Sequence, residues 1–365
     1  MAARLTRRSW WLRAIKWSVV VVAVGVEAVI VTLWLDRADL TLGALQWSWA
    51  GIAVGAETAS VVAVGALYRP LLRAGGVPMS RSRSVALGAA ASAITATAPG
   101  GAAVASAYVY RQLRRTGGTP VLSGWSVAVA DVLSIVAFGV IAGTAAALQS
   151  ANSLVAAVRA AGIGLGIALA LIGAAIVLVH LAEPLMQVLQ TACRRLPGVR
   201  ARESRCAPAD FDKAVNQFSA IRPGWRDFFV AFSLALLNWA ADLACFVLSL
   251  HAVGIDGVGI GTAAAAYSAG LATTSLSLLP GGIGTVEAGM LLVLRHAGVA
   301  SAHAIAGIVT YRLVAYAFVA CVGWAVWGAL RREPSPPLTH EGRARPLRLR
   351  ARTARPVPQQ LDDIA

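Results

Sequence analysis

Among the ionisable residues inside long apolar runs, six stand out: Glu27, Glu57, Asp131, Asp242, Glu287 and Arg312. Moving a charge into hydrocarbon costs roughly 2.5–3.5 kcal/mol on insertion scales. Each must therefore face another of the six, a wet cavity or a polar partner such as Asn238, His251 or Tyr311. Five acids and one base cannot all pair, so some of the acids should be protonated or should line water. Asp131 and Arg312 are expected to form an intramembrane ion pair, either as a fixed bridge between two halves or as a contact that makes and breaks.

Two apolar regions, about 85–110 and 261–297, are interrupted near their middles, at Ala98-Pro99-Gly100-Gly101 and at Pro280-Gly281-Gly282-Ile283-Gly284. Proline removes a backbone donor and glycine weakens a helix, so neither region should be one straight helix. A half-helix that begins at such a break presents unpartnered N–H groups and the positive end of its dipole, which attracts phosphate. The glycines allow close approach of a headgroup, or else serve only a turn and tight packing. The candidate substrate-binding residues are Pro99, Gly100, Gly101, Pro280, Gly281, Gly282, Gly284, Glu287 and Arg312, with Glu287 placed to discharge Arg312 or carry a proton.

Other chemistry finds no residues. His180, His251, His296, His303 and His340 are scattered, and no Ser-His-Asp or Cys-His arrangement appears. No catalytic residue, metal or cofactor is expected, and the chain reads as a non-enzyme. Cys193, Cys206, Cys245 and Cys321 fit no metal spacing and read as reduced thiols. The net charge of +15 raises nucleic acid as a partner, but the basic residues flank apolar spans, where they match anionic lipid headgroups. No nucleic-acid signature is present.

With 58% hydrophobic and only 13% charged residues, the chain has the bilayer as its expected solvent. Apolar runs of spanning length occur at about 17–35, 48–67, 120–148, 157–181, 227–252 and 302–330. The first follows Arg4, Arg7, Arg8, Arg13 and Lys16 and reads as a retained signal anchor. Basic clusters lie in 1–16, 68–84, 108–119, 182–226 and 331–365. All five share one side if 85–110 dips into the membrane and returns, as the positive-inside rule prefers. The segments 253–260 and 297–303 carry no Arg or Lys, which makes 261–297 a hairpin entering from outside.

The expected fold is an all-α polytopic membrane protein with six full spans and two re-entrant helical hairpins. A basic cytoplasmic N-terminus (1–16) precedes a membrane domain (17–330), and a disordered basic cytoplasmic tail (331–365) follows. The 182–226 loop could hold an amphipathic helix with Phe211, Val215 and Phe218 on one face, or be an ordinary cytoplasmic cap. The Arg and Ala bias points to a GC-rich bacterial genome, hence a bacterial inner membrane.

Pro99-Gly100-Gly101 and Pro280-Gly281-Gly282 lie 181 residues apart, and the offset holds for Ala107 and Ala288, Leu113 and Leu294, Arg114 and Arg295, and Gly117 and Gly298. It also pairs Asp131 with Arg312. Three full spans separate the hairpins, so the two copies should sit in opposite orientation. Inverted repeats with broken helices are a recurring transporter architecture.

The run Pro280-Gly281-Gly282-Ile283-Gly284-Thr285-Val286-Glu287, then Arg295-His296-Ala297-Gly298, then Thr310-Tyr311-Arg312-Leu313, resembles the transmembrane region of lysylphosphatidylglycerol synthases and their stand-alone flippase-like relatives. The Pro99 hairpin with Arg111, Arg114, Arg115 and Gly117 resembles that family's first motif. There the family often carries Gly-Glu after its proline, whereas Ala102, Ala103 and Val104 follow here. The resemblance covers about 17–330. It implies the lipid-flipping half of those synthases without the soluble aminoacyl-transfer half, since about 35 residues follow the last span. The expected function is translocation of an anionic lipid or a polyprenyl-phosphate-linked precursor. The alternative is a non-transporting scaffold for a membrane transferase that modifies lipids or glycans.

Overall fold

The computed structural model describes residues 45–149, 217, 221, 223–276 and 280–332. The expected spans 17–35 and 157–181, Glu27, Cys193, Cys206, most of the 182–226 loop with its Phe211–Phe218 face, and the tail from 333 lie outside the described residues. Those described are all-helical, with no strand among them.

Helix α1 spans Trp47–Ala74. Helices α2 (Arg81–Thr97) and α3 (Gly101–Arg115) flank the first break. Helix α4 is Pro120–Gln149 and α5 is Trp225–Ala252. Helix α6 (Ile260–Ala272) leads through 3-10 turns at Thr273–Leu276 and Pro280–Gly282 to α7, Thr285–His296. Helix α8 (Ser301–Arg312) continues through a π-helical turn, Leu313–Phe318, into α9, Val319–Arg332. Four continuous helices among the described residues are long and apolar enough to cross a membrane: α1, α4, α5 and the α8–α9 rod. The two broken regions fold as helix pairs packed on each other, α2 on α3 and α6 on α7. At 1.5 Å per residue, the 17 residues of α2 reach about 26 Å, short of the roughly 30 Å hydrocarbon core.

Helix α1 outruns its expected end at residue 67 and passes through Pro70 to Ala74. Glycine sets the crossings. A Cβ on Gly88 of α2 would meet the Gly65 backbone of α1 at 2.6 Å, so these helices touch main chain to main chain. Gly323 of α9 lies against the Ala89 carbonyl of α2 in the same manner. Small residues allow such approaches where lipid supplies no hydrophobic force to press helices together.

Helices α1 and α5 pack over their whole length and run antiparallel. The Gln46 N–H before α1 donates to the Ala252 carbonyl at the end of α5 (2.9 Å), and midway Ser60 Oγ donates to Asn238 Oδ1 (3.1 Å). Both helices have 28 residues and start and stop 178 residues apart. Their ends close with the same bonds. Gly76 N–H donates to Arg73 O and Val77 N–H to Leu72 O, as Gly254 does to His251 and Ile255 to Leu250. Downstream the offset becomes 181. The exit of α3 (Gly117 to Arg114, Gly118 to Leu113) matches that of α7 (Gly298 to Arg295, Val299 to Leu294), and α4 and α8 begin at Pro120 and Ser301. Gly117 and Gly298 both hold positive φ, 99° and 86°, which the turn into the next helix needs.

Candidate functional site

The two breaks touch. A Cβ on Gly281 would lie 3.1 Å from the Ala96 carbonyl, two residues before the first break, and 2.9 Å from the Tyr316 ring. Trp324 Nε1 on α9 donates to Thr97 Oγ1 (3.2 Å), which holds the end of α2 against the last rod. Gly100 is left-handed (φ 60°) and caps α3, and a Cβ on Gly101 would collide with the Thr95 backbone. Side chains are therefore excluded from the first break by both conformation and space.

The second break runs through the whole of Pro280–Gly284. Gly281, Gly282 and Gly284 all hold positive φ, and α7 begins at Thr285, not directly after Gly282. Its N-cap is Gly284, whose N–H donates to Glu287 Oε2 at 2.6 Å. The orphan donor expected at this helix end is thus answered by the protein's own carboxylate. At the first break Gly100 brings no side-chain cap, and Ala102, Ala103 and Val104 are exposed.

Arg312 projects from the end of α8 into this contact and is 8% exposed. Its Nε lies 2.5 Å from Glu287 Oε1, a charge contact without the alignment of a hydrogen bond. Nη1 donates to the Gly281 carbonyl (3.0 Å), and the guanidinium sits 3.9 Å over the Tyr316 ring. Nη2 is buried with no hydrogen-bond partner among the described residues. Tyr316 belongs to the π-helical turn that follows Arg312, a distortion that often accompanies function.

The expected Asp131–Arg312 ion pair is not formed. Asp131 is exposed and accepts from Ser106 Oγ (3.3 Å) on α3. Ser106 and Asp131 lie 181 residues before Glu287 and Arg312. Each pair joins the helix after a break to the long helix that follows it, so Asp131 and Arg312 each meet a residue of the preceding helix, not each other.

A second polar group lies between α1 and α5. Asp242 accepts from Tyr267 OH on Oδ2 (2.8 Å) and from Tyr311 OH on Oδ1 (2.9 Å). Glu57, 5% exposed, stands on α1 beside Asp242 on α5, each one turn from the Ser60–Asn238 bond. Phe246, Tyr267 and Tyr311 close round the group with ring centroids 5.3–6.4 Å apart. Glu57, Asp242, Asn238 and Tyr311 were legible as polar residues in apolar runs. Tyr267 and Tyr316 were not, because a lone tyrosine in a small-residue helix resembles packing. His251, at the end of α5, meets Asp256 (2.7 Å) and stacks near Trp49. Cys245 is buried and Cys321 exposed, and neither forms a disulfide among the described residues. No group able to hold a metal occurs among the described residues.

The family model for the lysylphosphatidylglycerol synthase TM region matches residues 12–323. The chain belongs to this family. As a member of a membrane-domain family with several spanning helices, it is a multi-pass integral membrane protein. The match takes in both breaks, Glu287 and Arg312, as well as Glu57 and Asp242. No curated protein matches the chain.

Proposed function

We propose that this family member is a flippase-like transporter of the bacterial inner membrane. It moves an anionic lipid or polyprenyl-phosphate-linked precursor past the contact between its two breaks, with no enzymatic step. In this reading six spans and two re-entrant hairpins form an inverted repeat, within a membrane domain at 17–330. The basic segments at 1–16 and 331–365 are cytoplasmic. The antiparallel α1–α5 pair and the repeated closing bonds support the inversion.

The observation that carries the proposal is Arg312, buried where the breaks meet, with Nη2 unpartnered. An unsatisfied cationic donor at low dielectric favours a phosphate oxygen strongly. Glu287 neutralises the site between ligands. The N-terminus of α3, whose cap residue Gly100 brings no side chain and which exposed alanines flank, offers further N–H groups. Pro99, Gly100, Gly101, Pro280, Gly281, Gly282 and Gly284 form the wall along which the headgroup passes.

The test is reconstitution into liposomes carrying fluorescent phosphatidylglycerol, with leaflet-selective quenching. Quenching of the inner-leaflet pool faster than in protein-free liposomes, and slower with Arg312→Gln, is expected. Rates equal to protein-free liposomes for phosphatidylglycerol and for a polyprenyl phosphate overturn transport and favour a scaffold for a membrane transferase.

A further inference from the structure

The breaks and Arg312 leave the acids between α1 and α5 without a role. Glu57 and Asp242 come from the two helices that correspond at the 178-residue offset, and they meet one turn from the Ser60–Asn238 bond. Ser60 and Asn238 are themselves equivalent positions, so their bond marks the axis relating the two copies. Two carboxyl groups buried side by side cannot both ionise without strong repulsion, and one proton between them removes it. Asp242 accepts one hydroxyl on each oxygen, from Tyr267 and Tyr311, whereas Glu57 Oε2 is buried with no hydrogen-bond partner among the described residues. This oxygen is the independent sign that a small ligand belongs there, and a proton on Oε2 needs no further space.

We propose that Glu57 and Asp242 form a single proton-binding site on the repeat axis, loaded and emptied as the protein works. Loaded, the pair carries one proton and one negative charge. Emptying breaks one carboxyl O–H bond, passes the proton to water and leaves two carboxylates in contact. The groups facing them are Cys245 on α5, Tyr267 on α6, Tyr311 and Arg312 on α8, and Tyr316 in the π-helical turn. Asp131 on α4 turns to Ser106 instead, and Glu287 on α7 is held by Arg312. Arg312 is the one cation among these groups and follows Tyr311 directly in α8. An emptied pair therefore draws Arg312 away from Glu287 and the Gly281 carbonyl and loosens the contact between the breaks. That coupling rests on the transport reading, whereas the proton site does not.

Infrared difference spectroscopy on the purified full chain at neutral pH reads the site directly. A protonated-carboxyl stretch that shifts in heavy water is expected in the parent protein. It should disappear in the double variant Glu57→Gln/Asp242→Asn, which keeps side-chain size and hydrogen bonding, and persist in Asp131→Asn. Absence of the band, or its survival in the double variant, overturns the site. If the double variant does not fold, Glu57→Gln alone must at least shift the band, and an unmoved band is equally decisive. In liposomes, a pH gradient should change the parental lipid rate severalfold and leave the double variant unaffected. Equal sensitivity of both overturns the coupling, whereas no lipid movement in either, with the band behaving as expected, removes the transport reading and leaves the proton site standing.

Discussion

Ser60 and Asn238 hydrogen-bond to each other at 3.1 Å, and they are the same position in two 28-residue antiparallel helices. In the inverted-repeat reading proposed above, this contact lies on the axis relating the two copies. The polar contacts at positions 181 residues apart differ. Ser106 and Asp131 form a weak polar contact in the first, and Glu287 and Arg312 form a buried charge pair in the second.

Removing one member of that pair should be costly. Arg312→Gln leaves Glu287 buried beside only the Gly284 N–H, and losing one partner of a buried pair typically costs about 3–5 kcal/mol. Glu287→Gln keeps the cap on Gly284 but leaves Arg312 unanswered, so it should slow translocation more than it lowers folded yield. Thermal unfolding in detergent alongside liposome rates separates the two effects. Equal loss in both assays argues against a working role.

Double-mutant cycles should separate the two charge relationships. Glu287→Gln with Arg312→Gln is expected to be strongly non-additive. Asp131→Asn with Arg312→Gln should be additive within about 0.5 kcal/mol, as for sites that share no partner. A large coupling in the second cycle would mean that Asp131 and Arg312 meet in another state of the protein.

Substituting the break glycines should damage the fold before it informs on substrate. Gly281 holds φ 60° against the Tyr316 ring and Ala96, and a left-handed non-glycine residue costs roughly 1–2 kcal/mol even without a clash. Gly282 is buried at φ 67° with Val286 Cγ2 2.8 Å from its virtual Cβ, so Gly282→Leu should lower folded yield. Size-exclusion profiles of the expressed variants would report this, and normal profiles would contradict the packing described.

Ala103 offers the cleaner probe. It stands three residues after the cap Gly100, as Glu287 stands after Gly284, and it is exposed. Ala103→Glu should cap α3 as Glu287 caps α7, typically worth about 1 kcal/mol, while placing a carboxylate where a phosphate would dock. Kept or raised thermal stability with slower movement of anionic lipid is expected. Unchanged movement would take the first break out of the headgroup path.

Single cysteines in a cysteine-free background test the topology. Gly118→Cys should label from inside and Ala300→Cys from outside. Labelling of Gly118→Cys only from outside would end the re-entrant reading and the inversion with it.

Local chemistry made much of this legible in the residues alone. Long apolar runs, proline and glycine at 99–101 and 280–284, and glycines at 117 and 298 specify helices, breaks and turns through short-range sterics, and the described residues have them at those places. The 181-residue offset was equally visible. The 178-residue correspondence of α1 and α5 was not, because three residues added before the second break shift the register and little side-chain identity survives. Partner choice was not legible either. Pairing Asp131 with Arg312 followed from charge and repeat position, but Arg312 meets the acid that α7 carries past it. Glu57, 185 residues from Asp242, meets it through the rotation and antiparallel register of two packed helices. Hydropathy fixes that a helix is buried, while only its packing against a neighbour fixes which face, and therefore which acid, tyrosine or arginine, comes within reach.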